Sequence, residues 1–192
     1  MAIATIPPGR VDEAVARLVS AHASPAVEKI AGTLTWAGDE HVVIAATAIV
    51  WMLTRRANPR ARALGSHLLV SAVAASVVPH LLKAGINQTR PDRLYPDGHR
   101  RGVPVSGKPR DAFPSGHAVQ LGVLASASAL LPSPWALALR MLAAVVAATR
   151  LVVMAHWLSD VICGLAIGAA IEHALRPVRF RPRARSPGNE RS

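Results

Sequence analysis

The sequence predicts an all-α integral membrane helix bundle. Three observations carry that prediction. Five apolar stretches approach the roughly 20 residues that a helix needs to cross a hydrocarbon core of about 30 Å. Half of the residues are hydrophobic (51%) but only 4% are aromatic, so Ala, Val and Leu supply the apolar surface. The basic residues fall mostly between the stretches and at the C-terminus.

The elements follow in order. Between residues 11 and 21, apolar residues recur at helical spacing with Asp12, Glu13 and Arg17 between them. This pattern predicts an amphipathic helix on the membrane surface or against the bundle, within an N-terminal segment spanning 1–34. Pro25 interrupts it, and Glu28 and Lys29 argue against a crossing there. The expectation is therefore five clear crossings, and six only if this region adds one. The first crossing spans 36–54, with Asp39, Glu40 and His41 at its start, where an interface or the protein interior must receive them. The second spans 64–82, and Pro79 predicts a kink near its end. The third, 114–131, is rich in Ala, Ser and Gly; the fourth spans 135–155. The fifth, 157–175, carries Gly164-x3-Gly168, a pattern of small residues that lets helices approach closely in lipid. Generic tight packing is the reading preferred here over a dimer motif. Trp36, Trp51, Trp135 and Trp157 lie near predicted helix ends, as an aromatic belt requires. The membrane domain is thus 35–176, followed by a disordered basic tail at 177–192.

The 22 Lys and Arg exceed the 11 Asp and Glu, for a net charge of +11. Nucleic acid is one partner for such a charge. The placement of the basic residues at the borders of apolar runs fits lipid headgroups or phosphate instead, and no nucleic acid is expected. The single Cys163 excludes an intramolecular disulfide and a cysteine-based zinc site. No basic region followed by an apolar core opens the chain, so no cleavable signal peptide is expected.

Three short blocks carry the chemistry: Lys83-x6-Arg90-Pro91, Pro114-Ser115-Gly116-His117 and Arg150-x5-His156-x3-Asp160. With five alternating crossings, all three fall on one face of the membrane. The basic loop with Arg55, Arg56, Arg60 and Arg62 falls on the other, with the tail. Positive-inside counting places that second face in the cytoplasm if the charges of the long 83–113 loop are reserved for substrate. Phosphoryl transfer needs donors for three equatorial oxygens, an in-line nucleophile and an acid for the leaving group. Arg90 and Arg150 offer planar forks to phosphate and Lys83 a point charge. The proline at 114 suits a helix start, where free N–H groups bind anions, and Gly116 lets the backbone approach a ligand. Ser115 adds a hydroxyl donor, and His117 stands where it can protonate a leaving oxygen. His156 and Asp160 are four apart and share a helix face, so the carboxylate can hold one ring nitrogen protonated and leave the other to attack. Taken singly, each basic residue is equally an interfacial snorkel, and the His–Asp pair a structural one.

Two other chemistries compete. A divalent metal on His117, His156 and Asp160 is disfavoured by the cationic shell and the lack of a carboxylate cluster. A Ser-His-Asp hydrolase lacks its Gly-x-Ser-x-Gly elbow. Asp92, Arg93 and Asp111 read as solvated loop charges, and His22, His41, His67, His80, His99 and His173 as surface, interfacial or packing histidines.

In order and spacing the blocks resemble those of the type-2 phosphatidic acid phosphatase superfamily, which also includes vanadium-dependent haloperoxidases. The one departure is Thr149, where that family usually shows Ser before the arginine; Thr keeps a hydroxyl. The resemblance covers roughly 83–160. It implies that His156 is the nucleophile and forms a phosphohistidine, that Asp160 orients it, and that His117 is the general acid. It also implies that Lys83, Arg90, Ser115, Gly116 and Arg150 hold the phosphate, with no metal and no cofactor. The expected function is a bacterial inner-membrane phosphatase for a lipid phosphate or diphosphate, such as undecaprenyl diphosphate or phosphatidic acid, with its site on the extracytoplasmic face. A lipid phosphotransferase and a non-catalytic binder of anionic lipid are the alternatives.

Overall fold

The structure is a computed structural model that describes residues 3–95 and 108–180, with side chains as far as 176. Helices α1 (Arg10–His22) and α2 (Pro25–Leu34) open the chain. A 3-10 turn at Thr35–Gly38 leads to α3 (Glu40–Thr54) and α4 (Pro59–Gly85). The short α5 (Pro91–Leu94) precedes α6 (Gly116–Ala127), α7 (Ser133–Val152) and α8 (Leu158–Phe180). Two-residue strands β1 (Ala4–Thr5) and β2 (Ile86–Asn87) pair in parallel, Ala4 with Ile86 and Thr5 with Asn87.

Local chemistry sets the helix starts. Ser24 accepts from Val27 N at 3.3 Å, with Pro25 in the first turn. Asp39 caps α3 by accepting from His41 N at 2.9 Å and Val42 N at 3.4 Å. Asn58 accepts from Ala61 N at 2.9 Å, with Pro59 opening α4. A cap side chain satisfies amides that have no partner inside the helix.

Among the described residues, three helices are long and apolar enough to cross a membrane: Pro59–Gly85, Ser133–Val152 and Leu158–Arg176. A fourth exists if Pro25–Gly38 and Glu40–Thr54, bent by 47°, form one broken span. The expectation of five clear crossings is corrected to that number. The first expected crossing is cut because Asp39 ends one helical run and caps the next. The third is only 12 residues of α-helix, prolonged by a 3-10 turn at Ser128–Leu130. A mostly helical bundle fits a membrane all the same.

The short helix is the axis of the molecule. Ala118, Val119, Gln120, Leu121, Gly122 and Val123 are all buried, so every face of α6 is covered. On one side it meets Ala143, Val146 and Ala147 of α7 and Val161 of α8. On another, Val119 and Val123 meet Ala75 of α4. Its Gln120 side chain donates to the Ala72 carbonyl at 3.0 Å. The Gly164-x3-Gly168 pattern works within the chain: a Cβ on Gly164 would lie 2.8 Å from Ala118 Cβ, and one on Gly168 would collide with the Val119 carbonyl. Gly122 faces the Leu165 backbone in the same way.

Far from the three blocks, α4 and α8 share a buried polar cluster. His67 Nε2 lies 2.7 Å from Glu172 Oε1, both fully buried. The Ser126 hydroxyl donates to Glu172 Oε2 at 2.6 Å, and Arg176 donates to the same oxygen at 2.7 Å. His67, read above as a packing or interfacial histidine, is thus part of a buried interhelical hydrogen-bond cluster.

Helix α1 inverts the ordinary pattern. Val11 and Leu18 are exposed, whereas Asp12 and Ala16 are buried. Ala16 packs with Ala112, Met154 and Trp157, so α1 lies against the bundle with apolar residues left on its outer side. Of the disordered tail expected at 177–192, residues 177–180 continue α8 instead, and the remainder lies outside the described residues, as does the 96–107 part of the long loop.

Candidate active site

Each block is placed by an element end. Lys83 sits in the last turn of α4, and Arg90 immediately precedes α5. Ser115 is the N-cap of α6, where its Oγ accepts from Ala118 N at 3.4 Å. Arg150 is in the last turn of α7, His156 in the connection after it, and Asp160 in the first turn of α8.

The α7–α8 connection is a Schellman-type stop. Ala155 N donates to Arg150 O at 3.1 Å and Met154 N to Leu151 O at 3.0 Å. Met154 takes the left-handed position, φ 53°, usually filled by glycine. Burial of its side chain against Ala16, Ala112 and Trp157 offsets that strain. The reversal turns His156 back toward the N-terminus of α6.

His156 is 3% exposed. Its Nδ1 lies 2.7 Å from the Ala112 carbonyl. A carbonyl oxygen only accepts, so Nδ1 carries the hydrogen and Nε2 keeps its lone pair. Sequence reasoning expected Asp160 to make that bond. Asp160 Oδ2 stands 3.7 Å from Nδ1 and accepts instead from Trp157 N at 2.9 Å. Its Oδ1 is buried and has no hydrogen-bond partner among the described residues. Asp160 therefore fixes the backbone that carries His156 and lies beside the ring. Burial pushes the His156 imidazole well below its usual range; the charges of Arg150, Arg90 and Lys83 push the same way, against the Ala112 bond. The ring is neutral at neutral pH.

The three cations stand around it, close enough for each to act on His156 electrostatically. Arg90 is locked by three partners, the first being Lys108 O, which accepts from Nε at 3.1 Å. Nε and NH2 both reach Asp111 Oδ1 at 2.8 Å, and NH1 donates to Ala155 O at 3.2 Å. Lys83 Nζ is 4.0 Å from Asp111 Oδ2. Asp111 is thus a shared anchor for two cations rather than the solvated loop charge expected. Asp92 is likewise buried, its amide donating to Met154 O at 3.0 Å. Arg150 NH1 donates to Thr35 Oγ1 at 2.7 Å, and its Nε has no hydrogen-bond partner among the described residues. The Thr149 hydroxyl donates back to Val146 O at 2.6 Å along its own helix.

The second block closes the ring. Ser115 N donates to Asp160 O at 3.3 Å, which joins α6 to α8 at the site. A Cβ on Gly116 would meet nothing within 4 Å, so open space lies beside the first turn of α6. His117 is half-buried and feels the charges of Arg150, Lys83 and Arg90 and of Asp39. Thr35 and Asp39 are the site neighbours that sequence reasoning missed; neither has a spacing that links it to the blocks. Among the described residues, no group of three His, Cys, Asp or Glu side chains is placed to hold a metal ion.

Two histidines and three cations at the helix ends give the bundle the donors and the nucleophile that phosphoryl transfer requires. Residues 64–183 match the PAP2 superfamily, and the chain belongs to that superfamily. A protein of Rhizobium etli named lipid A 1-phosphatase is 33% identical over 156 residues, 74% of this chain and 67% of its own. Its namesake in Rhizobium johnstonii is 33% identical over 165 residues, 79% and 68% of the two chains. The solved structure of Aquifex aeolicus LpxE has the same fold, with a TM-score of 0.64 at 17% identity, over 85% of this chain and 93% of that one. The chain is accordingly a membrane phosphatase of the PAP2 type.

Proposed function

We propose that the chain hydrolyses the phosphate of a membrane lipid through a phosphohistidine on His156. The observation that carries this reading is the Nδ1–H bond to Ala112, which leaves Nε2 with its lone pair on a ring that feels the charges of Arg150, Arg90 and Lys83. In the first step Nε2 attacks phosphorus in line and the bond from phosphorus to the lipid oxygen breaks; His117, which takes up a proton once the bound phosphate's negative charge offsets the neighbouring cations, gives that proton to the oxygen. In the second, water attacks the phosphohistidine, the P–N bond breaks, and His117 takes the proton back. Lys83, Arg90, Arg150, the Ser115 hydroxyl and the amides at the start of α6 hold the phosphoryl oxygens throughout. All of these groups belong to the protein, so the scheme uses no metal and no cofactor.

The relatives named lipid A 1-phosphatase make the 1-phosphate of lipid A the first substrate to test, ahead of phosphatidic acid and undecaprenyl diphosphate. A site at the helix ends lets the headgroup enter while the acyl chains stay in the bilayer. We read the bent pair α2–α3 and the helices α4, α7 and α8 as the crossings, with α6 inside the bundle and shielded from lipid. Residues 1–34 then contribute the strand and α1 as well as the first half of the bent span, the core runs to 176, and the site faces the extracytoplasmic side.

The test is phosphate release from these lipids by the purified protein in detergent with EDTA present. Activity is expected to persist with the chelator and to fall about 10³- to 10⁶-fold in His156→Ala. A fully active His156→Ala protein overturns the mechanism.

A further inference from the structure

We infer that Asp12 is a positioning residue for this site, and that the chain from Ile3 to Asp12 braces two of its three blocks against each other. The inference rests on the reading just given and deepens it. It starts from an unusual helix start. Trp157 precedes α8, and its indole is a donor only, already given to Thr89 O at 2.7 Å. The residue at the N-cap therefore offers no side-chain acceptor to the first amides of α8. Asp12 supplies one from 147 residues away: Ser159 N donates to its Oδ1 at 2.8 Å and the Ser159 hydroxyl to its Oδ2 at 2.9 Å. Gly9 N donates to the same Oδ2 at 3.0 Å. The carboxylate is 6% exposed and lies at the positive end of the α8 dipole.

The next residue is Asp160. Its carboxylate holds Trp157 N, its carbonyl receives Ser115 N, and it stands beside the His156 ring. The first turn of α8 thus sets the relation between the third block and the second. Asp12 holds that turn from outside. The helix that carries Asp12 also packs Ala16 against Ala112, whose carbonyl fixes the His156 tautomer.

At its other end the same segment grips the first block. Ile3 N donates to Gly85 O at 2.8 Å and Ile6 N to Asn87 O at 2.9 Å. These bonds flank the β1–β2 pairing, whose second strand lies between Lys83 and Arg90 in sequence. Ten residues therefore connect the Lys83–Arg90 block to the His156–Asp160 block without touching the phosphate space. In-line attack is sensitive to displacements of about 1 Å, so a brace of this kind bears on turnover more than on capture of the headgroup.

The test uses the full chain in detergent, with Asp12→Ala and Asp12→Asn beside the wild type. Three readings are taken: Tm, kcat and KM on a phosphorylated lipid, and affinity for orthovanadate. Vanadate mimics the transition state, so its affinity follows kcat when alignment is what is lost. Asp12→Ala is expected to lower kcat about tenfold or more, with KM within about twofold and vanadate affinity falling in parallel. Asp12→Asn keeps an acceptor oxygen for Ser159 N and is expected to restore most of the loss. A lower Tm with unchanged kcat and vanadate affinity overturns the inference and leaves Asp12 a structural cap. If Asp12→Ala does not fold, Ser159→Ala removes one of the two bonds and is expected to cost about threefold in kcat; full kcat there overturns the inference equally. A wild type that neither releases phosphate nor binds vanadate sinks the reading of the site itself, whereas an active wild type with a fully active Asp12→Ala sinks only the brace.

Discussion

Arg90 shows how much of the site rests on donor geometry. Its Nε and NH2 point to Asp111 and its NH1 to Ala155 O, two directions fixed by one plane. An ammonium has the charge but not the fork, so Arg90→Lys cannot reproduce both contacts and still face a phosphate. The expected result is a fall in kcat/KM of about 10- to 100-fold on any lipid phosphate the wild type hydrolyses. Retention of wild-type kcat/KM would show that charge alone is needed there. The sequence made Arg90 visible through its spacing from Lys83 and the proline after it. It did not make Asp111 visible as the anchor of both, because an acidic residue in a long polar loop looks the same whether solvated or buried. The same limit applies to the Ala112 carbonyl: a backbone oxygen leaves no mark in a residue pattern, so Asp160 was assigned the bond that Ala112 makes. Thr35, bonded to Arg150 across 115 positions, and Asp39 were hidden for the plainer reason that no local rule links distant residues.

At the scale of elements, the contact between α6 and α8 decides whether the second and third blocks meet. Gly164 and Gly168 bring the α8 backbone against Ala118 and Val119, one turn below Ser115. A methyl at Gly168 has the Val119 carbonyl in its way, and a backbone atom cannot rotate aside as a side-chain tip can. Gly168→Ala is therefore expected to separate the two helices and to cost about 1–3 kcal/mol in stability, the usual range for overpacking. Activity should fall with it, because the Ser115 N to Asp160 O bond lies along the same seam. A thermal melt in detergent alongside a phosphate-release assay checks both; wild-type values in each would show that the seam has slack. The small-residue pattern was legible in the sequence, and so was its preferred reading as tight packing. The extent of the apolar runs was less informative. Hydropathy counted the run at 114–131 as a full crossing, yet its regular α-helix is short and enclosed on all sides. Hydropathy reports burial and lipid exposure with the same letters, so an inner helix and a lipid-facing one read alike. The bend at Asp39 was written in the chain as a capping residue, but its acidic neighbours made it look like the start of a span.

The whole molecule carries the thermodynamic cost of its nucleophile. Folding places His156 in a buried setting ringed by Arg150, Arg90 and Lys83, and these together hold its imidazole well below the ordinary value of 6.5. In the unfolded chain the same ring titrates near that ordinary value. Below it, and down to the lowered folded value, the unfolded chain binds a proton that the folded chain does not. Stability then rises with pH across the window, since the unfolded state carries the extra proton. The contribution of His156 is complete above about 6.5 and is lost progressively as the pH falls below it. Melting temperatures of the protein in detergent should therefore drop on acidification from pH 7 toward 5. His156→Ala, which removes the titrating group, should show a shallower drop over the same range. Equal slopes for the two proteins would mean that the ring is not held neutral by its surroundings. The same asymmetry acts on catalysis: Nε2 keeps its lone pair at pH values where a solvent-exposed histidine is already half protonated, so loss of the nucleophile does not limit turnover near neutrality. The cations that grip a phosphate thus also keep the attacking nitrogen unprotonated, and the fold binds the two effects together by closing α6, α7 and α8 around one ring.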